Sequence, residues 1–330
     1  MKQLSVNVHG IEAIIETDIN SYYQFVENNY LIFKKDVVHS KARVFSVFSI
    51  DAGNFAKEQK NSLNRISEGF YMGTNSIYWE NEFGFSIFLD FSTKDSWKVY
   101  SFHFDLLKKL NAEDEYKNYM RSMRWAVHFP IFTLLDYLKG IKLIHASAVS
   151  KNNNSILFCG LNKVGKSGLG LYFFKNLNYK IVSDNFLLIG KEGIYAFPEM
   201  ARVSPEGSKN LKLKIKNKQL IYGKYHLPIA SKDIALKSSP MMVYIVTNSD
   251  QEYTEEIPRD KAILLLDSIH NYLQEFPRYT FYGILDYFEF NSNNSTGINI
   301  FPKNTRFFIL SHKMNWDYKS ISERVIRDEV

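Results

Sequence analysis

Apolar and polar positions alternate through most of the first hundred residues, which is the two-residue period of half-buried strands. The runs Leu4–Thr17, Tyr30–Phe33, Arg43–Ile50, Gly69–Met72, Ser76–Trp79, Phe85–Phe91 and Trp97–Phe104 read as successive strands. At about Ala112 the period changes to that of a helix extending to Leu138. Tyr116, Tyr119, Met120, Met123, Ala126 and Val127 fall at helical spacing, behind Glu113, Asp114 and Glu115, whose charges suit a helix N-terminus. Pro130 should break or kink that helix, because it has no N–H to give. After Gly140 the strands Lys142–Ser150 and Ser155–Cys159 flank the polar turn Lys151–Asn154, the pattern of a hairpin. A helix-length stretch Ser167–Leu177 follows, then strands Lys180–Ile189 and Gly193–Phe197, and a loop Pro198–Gly207 with two prolines. Met242–Thr247 reads as a strand and Lys261–Phe276 as a helix. Lys209–Lys218 alternates Lys with Leu, Ile and Asn, as a strand with one solvated face would. The pattern predicts an α/β (α+β) protein with a seam near Gly140. Residues 1–140 form a strand-rich region ending in a long helix, and residues 141–330 form a second domain.

Composition narrows the class. In 330 residues, 45% are hydrophobic and 26 Phe and 21 Tyr are present, too much core-forming material for a disordered chain. Met1–His9 has no apolar core of the kind a secretion signal needs, and no run approaches the ~18 apolar residues of a membrane span, so a cytoplasmic protein without membrane contact is expected. A single cysteine, Cys159, excludes disulfides within the chain and multi-cysteine metal sites, and reads as a small buried apolar residue. The net charge of +6 comes from basic residues scattered among 35 acidic ones, so no nucleic-acid partner is expected.

The chemistry is concentrated in Gly160-Leu-Asn-Lys-Val-Gly-Lys-Ser167, a full match to the phosphate-binding pattern GxxxxGK[ST]. The two glycines let the backbone wrap until several N–H groups face inward at phosphate oxygens, and the helix that follows presents its positive end. The octapeptide sits where that mechanism needs it, between the apolar run Ser155–Cys159 and the helical stretch beginning at Ser167. Gly160, Asn162, Lys163, Val164, Gly165, Lys166, Ser167 and Gly168 are the expected nucleotide contacts. Lys166 would reach the β- and γ-phosphates and Ser167 would ligate Mg²⁺. ATP is the expected nucleotide with GTP an alternative, since no base-reading motif is present.

His145 lies one hairpin before the loop and Asp184 one helix after it, so both fall at the mouth of the pocket if their strands are neighbours. A carboxylate there can accept a hydroxyl proton or ligate Mg²⁺, and an imidazole can orient it; a core histidine and a turn aspartate are the competing structural roles. The stretch from His145 to about Arg202 resembles the kinase domain of HPr kinase/phosphorylase and its looser relatives. There a histidine strand, a phosphate loop and a strand ending in Asp-Asp follow in this order, and His145 stands fifteen residues before Gly160 as in that family. The resemblance implies a phosphate-loop kinase domain of the HPr kinase/PEP carboxykinase-like type, with Asp184 as general base and His145 as its partner. It also implies transfer of the γ-phosphate to a serine or other hydroxyl of a protein, peptide or small molecule, with a homo-oligomer a further option. Two departures stand out. Asn185 replaces the second Asp, and Phe197-Pro-Glu-Met-Ala-Arg-Val203 replaces the signature tied to the reverse reaction, so phosphorylase activity is not expected. Within that replacement Glu199 is a candidate metal ligand and Arg202 a candidate phosphate clamp. The alternative from another class is a nucleotide-binding accessory or switch protein with weak or no ATPase activity, which Asn185 favours.

Overall fold

The run Leu4–Thr17 is two strands and not one. His9 and Gly10 both take left-handed backbone (φ 50° and 89°), and the chain doubles back as the hairpin β1 (Lys2–Val8) and β2 (Ile11–Thr17). The computed structural model describes residues 1–34, 40–81, 84–197, 201–215, 220, 223–272, 300–313 and 317–328. The chain is a mixed α/β protein whose backbone contacts fall into two units, Met1–Lys139 and Gly140–Val330.

In the first unit, β3 (Arg43–Phe48), β4 (Asn64–Ser67), β5 (Phe70–Met72), β6 (Ser76–Glu80), β7 (Phe85–Thr93) and β8 (Ser96–His103) join the hairpin in one eight-stranded sheet. The order is β1-β2-β3-β8-β7-β6-β5-β4, parallel at β2–β3 and β3–β8 and antiparallel elsewhere. Two helices interrupt what the pattern suggested were strands alone. In α1 (Asn20–Tyr30), Tyr22, Phe25, Val26, Asn29 and Tyr30 are buried at i, i+3, i+4, i+7 and i+8, one face of a helix. Tyr30–Phe33 is therefore no strand: Tyr30 closes α1 and Leu31–Phe33 is a single 3₁₀ turn. α2 (Ile50–Gln59) starts at Ser49, whose hydroxyl accepts the Ala52 N–H.

The long helical segment divides into α3 (Ala112–Met123), a π turn at Arg124–His128, and α4 (Phe129–Lys139). The π turn supplies an extra residue just ahead of Pro130, so the ring meets no carbonyl four residues back and its missing N–H falls in a first turn.

His103 ends β8 with 1% of its surface exposed, and neither ring nitrogen has a hydrogen-bond partner. Burial pushes its pKa down to about 4, with Asp105 pulling it back up and Arg121 and Lys108 adding to the depression. A base depressed on folding is protonated first in the unfolded chain, so stability is full above about pH 6.5 and is lost as pH falls toward 4. At pH 5 the first unit should be about 2 kcal/mol less stable than at pH 7 from this group alone. Urea titrations of wild type and His103→Leu at the two pH values check this: the variant should lose most of the difference.

The second unit contains β9 (Lys142–Lys151), β10 (Asn154–Cys159), α5 (Lys166–Leu177), β11 (Lys180–Gly190), β12 (Gly193–Tyr195), β13 (Ala201–Val203), α6 (Pro205–Asn210), β14 (Tyr225–Leu227), β15 (Lys237–Asn248), β16 (Tyr253–Glu256), α7 (Arg259–Tyr272), β17 (Arg306–His312) and α8 (Tyr318–Arg327). β9 and β10 form the expected hairpin, with Asn152 and Asn153 both left-handed (φ 52° and 64°) as a tight two-residue turn requires. The strands run β10-β9-β11-β12-β15-β17-β16, and β15 also pairs in parallel with β10. The long β15 thus closes a circuit: Lys237 and Ser238 pair with β12, and Ser239–Ile245 pair with β10. Leu169, Leu171 and Phe173 of α5 share a core with Val149 and Phe158 beneath them and with Tyr318, Ile321 and Val325 of α8 beside them.

Two expectations after the loop are corrected. Pro198–Gly207 is not all loop, because Ala201–Val203 pairs with Tyr225–Leu227 and Ser204 caps α6, accepting the Gly207 N–H ahead of Pro205. Lys209–Lys218 is no strand over its described part. Lys209 belongs to α6, Lys212 turns left-handed (φ 48°), and the Leu213 N–H returns to the Ser208 carbonyl, a helix end that defeats alternation. Residues 216–218 of that run, and 273–276 of the helix expected to reach Phe276, lie outside the described residues. No helix among the described residues is long and apolar enough to cross a membrane.

Candidate phosphate site

Cys159 pairs with Ile245, so the chain leaves β10 alongside Val246. A side chain at Gly160 would begin 2.5 Å from the Val246 carbonyl oxygen, and φ there is 144°, so the position admits only glycine. The loop then turns through Lys163 (φ 65°) to Gly165 (φ 91°), which is the N-cap of α5. Serine, asparagine or aspartate caps α2, α3, α6 and α8, each accepting a first-turn N–H. Gly165 has no side chain to do so, and the first bond of α5 runs from Leu169 N–H to Gly165 carbonyl. The amides of Lys166, Ser167 and Gly168 therefore precede the helical ladder, facing whatever lies beyond the helix end, where the dipole favours an anion.

The loop carbonyls are turned elsewhere. The buried Lys166 ammonium donates to Gly160 and Leu161 oxygens, both at 2.8 Å. His312, at the end of β17, holds the Val164 oxygen at 3.1 Å from Nε2. A turn whose oxygens are engaged by other groups and whose amides precede a helix end can hold phosphate oxygens. Leu161, Asn162 and Lys163 are exposed, Val164 is buried, and Ser167 is half-buried in the first turn of α5. Burial pushes the Cys159 thiol up to about 12, against a downward pull from Lys166, so it is an inert neutral side chain beneath the loop.

The strands carrying the other candidates are neighbours. Asp184 on β11 faces Ser147 on β9, which faces Phe158 on β10; two positions nearer the loop end, Phe186 faces His145. Asp184 lies within β11, which runs on to Gly190 close to the expected Lys180–Ile189, so it does not close its strand as the Asp pair of the resembled family does. It is 3% exposed, its Oδ2 accepts the Arg202 N–H at 3.0 Å, and its Oδ1 has no hydrogen-bond partner. Next to it Asn185 has φ 77°, a left-handed conformation inside a strand, held by the Ser183 hydroxyl donating to the Phe186 carbonyl. Strain of that kind in a non-glycine residue costs on the order of 1–3 kcal/mol and gathers at functional sites. Arg202 thus meets Asp184 through its backbone, and its half-buried side chain sits opposite His226 on β14. Glu199 lies outside the described residues, and among those described no three His, Cys, Asp or Glu side chains gather into a metal site.

No protein-family model and no curated protein sequence matches the chain. Among solved structures it is similar to the HPr(Ser) kinase/phosphatase from Coxiella burnetii. The identity is 11%, over 57% of this chain and 90% of that one, with a TM-score of 0.30. So slight a likeness fixes neither fold nor function.

Three contributors to the loop's surroundings were not singled out from sequence. His312 is 148 residues from Val164, and its only signal was a polar residue closing the apolar strand Phe307–Leu310. Ser147, whose buried Oγ has no hydrogen-bond partner, lies against Gly170 of α5, and Tyr318 lies against Gly168. Gly168 and Gly170 thus let α5 pack closely on both neighbours, a spacing that Gly-x-Gly inside a helix signals.

Proposed function

We propose that the chain is an ATP-dependent phosphotransferase of the HPr-kinase-like type, with residues 141–330 as its phosphate-loop domain and a protein, peptide or small molecule as the hydroxyl acceptor. The observation that carries this reading is a GxxxxGK[ST] loop built with an uncapped helix end and with its Gly160, Leu161 and Val164 carbonyls already engaged, beside a sheet that holds a buried carboxylate with one oxygen unpartnered. The amides of Gly165 to Gly168 would bind the phosphates and the Lys166 ammonium would neutralise charge on them, exchanging a carbonyl partner for a phosphate oxygen. Asp184, through Oδ1, would take the acceptor's proton as its oxygen bonds to the γ-phosphorus and the bond to the β-phosphate oxygen breaks, releasing ADP. His145, two positions nearer the loop end along β9, would orient that carboxylate. Ser167 and Asp184 are the described residues suited to hold Mg²⁺, with Glu199 a further candidate, and the ion would supply neutralisation of the phosphate charge.

The second reading, a nucleotide-dependent switch with weak or no ATPase activity, is favoured by the burial of Asp184 and by Asn185 in place of a second acid. Both readings share the loop. Lys166→Ala should weaken MgATP binding on the order of 100-fold, the worth of one or two charge-assisted hydrogen bonds, as read by calorimetry on folded variant. Incubation with γ-labelled ATP and candidate acceptors then separates them: label moving to an acceptor supports the transferase, and tight binding with no transfer supports the switch.

A further inference from the structure

We propose that His312 is a positioning residue for phosphate binding, holding the Val164 carbonyl outside the loop so that the Gly165 N–H points inward at a phosphate oxygen. The inference rests on the nucleotide-binding reading above. His312 is the last residue of β17, paired with Asn248 at the end of β15, and only 1% exposed. Its Nε2 lies 3.1 Å from the Val164 oxygen and its Nδ1 2.7 Å from the Lys313 oxygen. Both neighbours are carbonyl oxygens and can only accept, so the Val164 bond is made when Nε2 carries the proton, in the Nε2–H tautomer or in the imidazolium, which donates to both.

The consequence follows from peptide geometry. A trans peptide is planar, with its C=O and the next residue's N–H pointing in opposite directions. Drawing the Val164 oxygen toward β17 therefore sends the Gly165 N–H to the other side. The peptide lies between Val164 and left-handed Gly165 (φ 91°), and glycine tolerates either orientation, so the local chain does not choose. A flipped peptide would present an oxygen to the phosphate where a donor is needed. The carbonyls of Gly160, Leu161 and Gly165 are held by Lys166 and by α5 itself. Of these four loop carbonyls, only that of Val164 takes its partner from another strand.

The test uses two amides of different reach in the full chain. In His312→Gln the side-chain NH₂ ends near the position of Nε2 and can still meet Val164; in His312→Asn it ends near Nδ1 and cannot. Affinity for MgATP and for inorganic triphosphate is measured by calorimetry, alongside the ligand-free melting temperature. The Gly165 amide resonance is followed in ¹⁵N-glycine-labelled protein. His312→Gln should bind within about threefold of wild type and His312→Asn about thirtyfold more weakly. The Gly165 resonance should move with triphosphate in the first and stay still in the second. Equal binding by both variants overturns the proposal and leaves the nucleotide reading standing. Equal loss in both, with matching losses of melting temperature or fold, assigns His312 a purely structural role and overturns it as well. A wild type that binds neither probe overturns the nucleotide reading itself, and this proposal with it.

Discussion

Asp184→Asn should bind MgATP within about threefold of wild type while transferring phosphate on the order of 10³-fold more slowly, the usual worth of a general base. The amide has the carboxylate's shape and keeps an oxygen for the Arg202 N–H, so the strand and its neighbours have no reason to move. What is lost is a site for the proton, since the second position becomes an NH₂ group. The same substitution should stabilise the folded protein by about 1 kcal/mol, because it removes a negative charge that is buried with one backbone N–H as its hydrogen-bond donor. Slower transfer with a raised melting temperature would mark Asp184 as a residue kept for chemistry at the expense of stability. A switch protein would show the raised melting temperature alone, with nothing in label transfer to lose. Single-turnover assays with γ-labelled ATP, beside thermal unfolding of the same preparations, read both quantities.

Gly160→Ala should abolish measurable MgATP binding and destabilise the second unit by several kcal/mol. The new methyl would begin 2.5 Å from the Val246 carbonyl oxygen, which belongs to β15 and is not free to retreat. The φ of 144° adds strain of about 1–3 kcal/mol for any side chain. The loop can escape only by leaving β15, which takes the amides of α5 with it. Gly140→Ala is the control: φ is 61° there, but nothing lies within 4 Å of the added carbon, so backbone strain acts without a clash. That variant should lose about 1 kcal/mol and keep full nucleotide affinity. Differential scanning calorimetry with and without MgATP distinguishes the two, and equal behaviour would remove the close packing of Gly160 on Val246 as the cause.

The loop was legible in sequence because its residues are demanded by backbone geometry, which local spacing records. The β9–β10 hairpin was legible for the same reason, since Asn152 and Asn153 tolerate the left-handed conformation the turn needs. α1 was hidden because its buried face is built of Tyr, Phe and Val, residues that also favour strands, and only their spacing of three and four betrays the helix. α2 buries Ala52, Gly53 and Ala56, too small to make an apolar pattern at all. At the site, the row of Asp184, Ser147 and Phe158 depends on register, and the bulge between Ile181 and Ser183 sets that register without a sequence marker. His312 was beyond reach because its partner is a main-chain oxygen, which every residue possesses.

The order of the chain has a consequence for synthesis. Met1–Lys139 contains its own complete sheet, so it can fold while the ribosome is still adding residues. The second unit cannot: β17 must pair along β15, Tyr244 donates to the Val325 carbonyl, and Tyr318 rests on Gly168. The Gly160–Ser167 loop is thus translated early and completed late, waiting for partners encoded some 150 residues downstream. Nascent chains arrested before β17 should behave as a folded first unit trailing an unfinished second one.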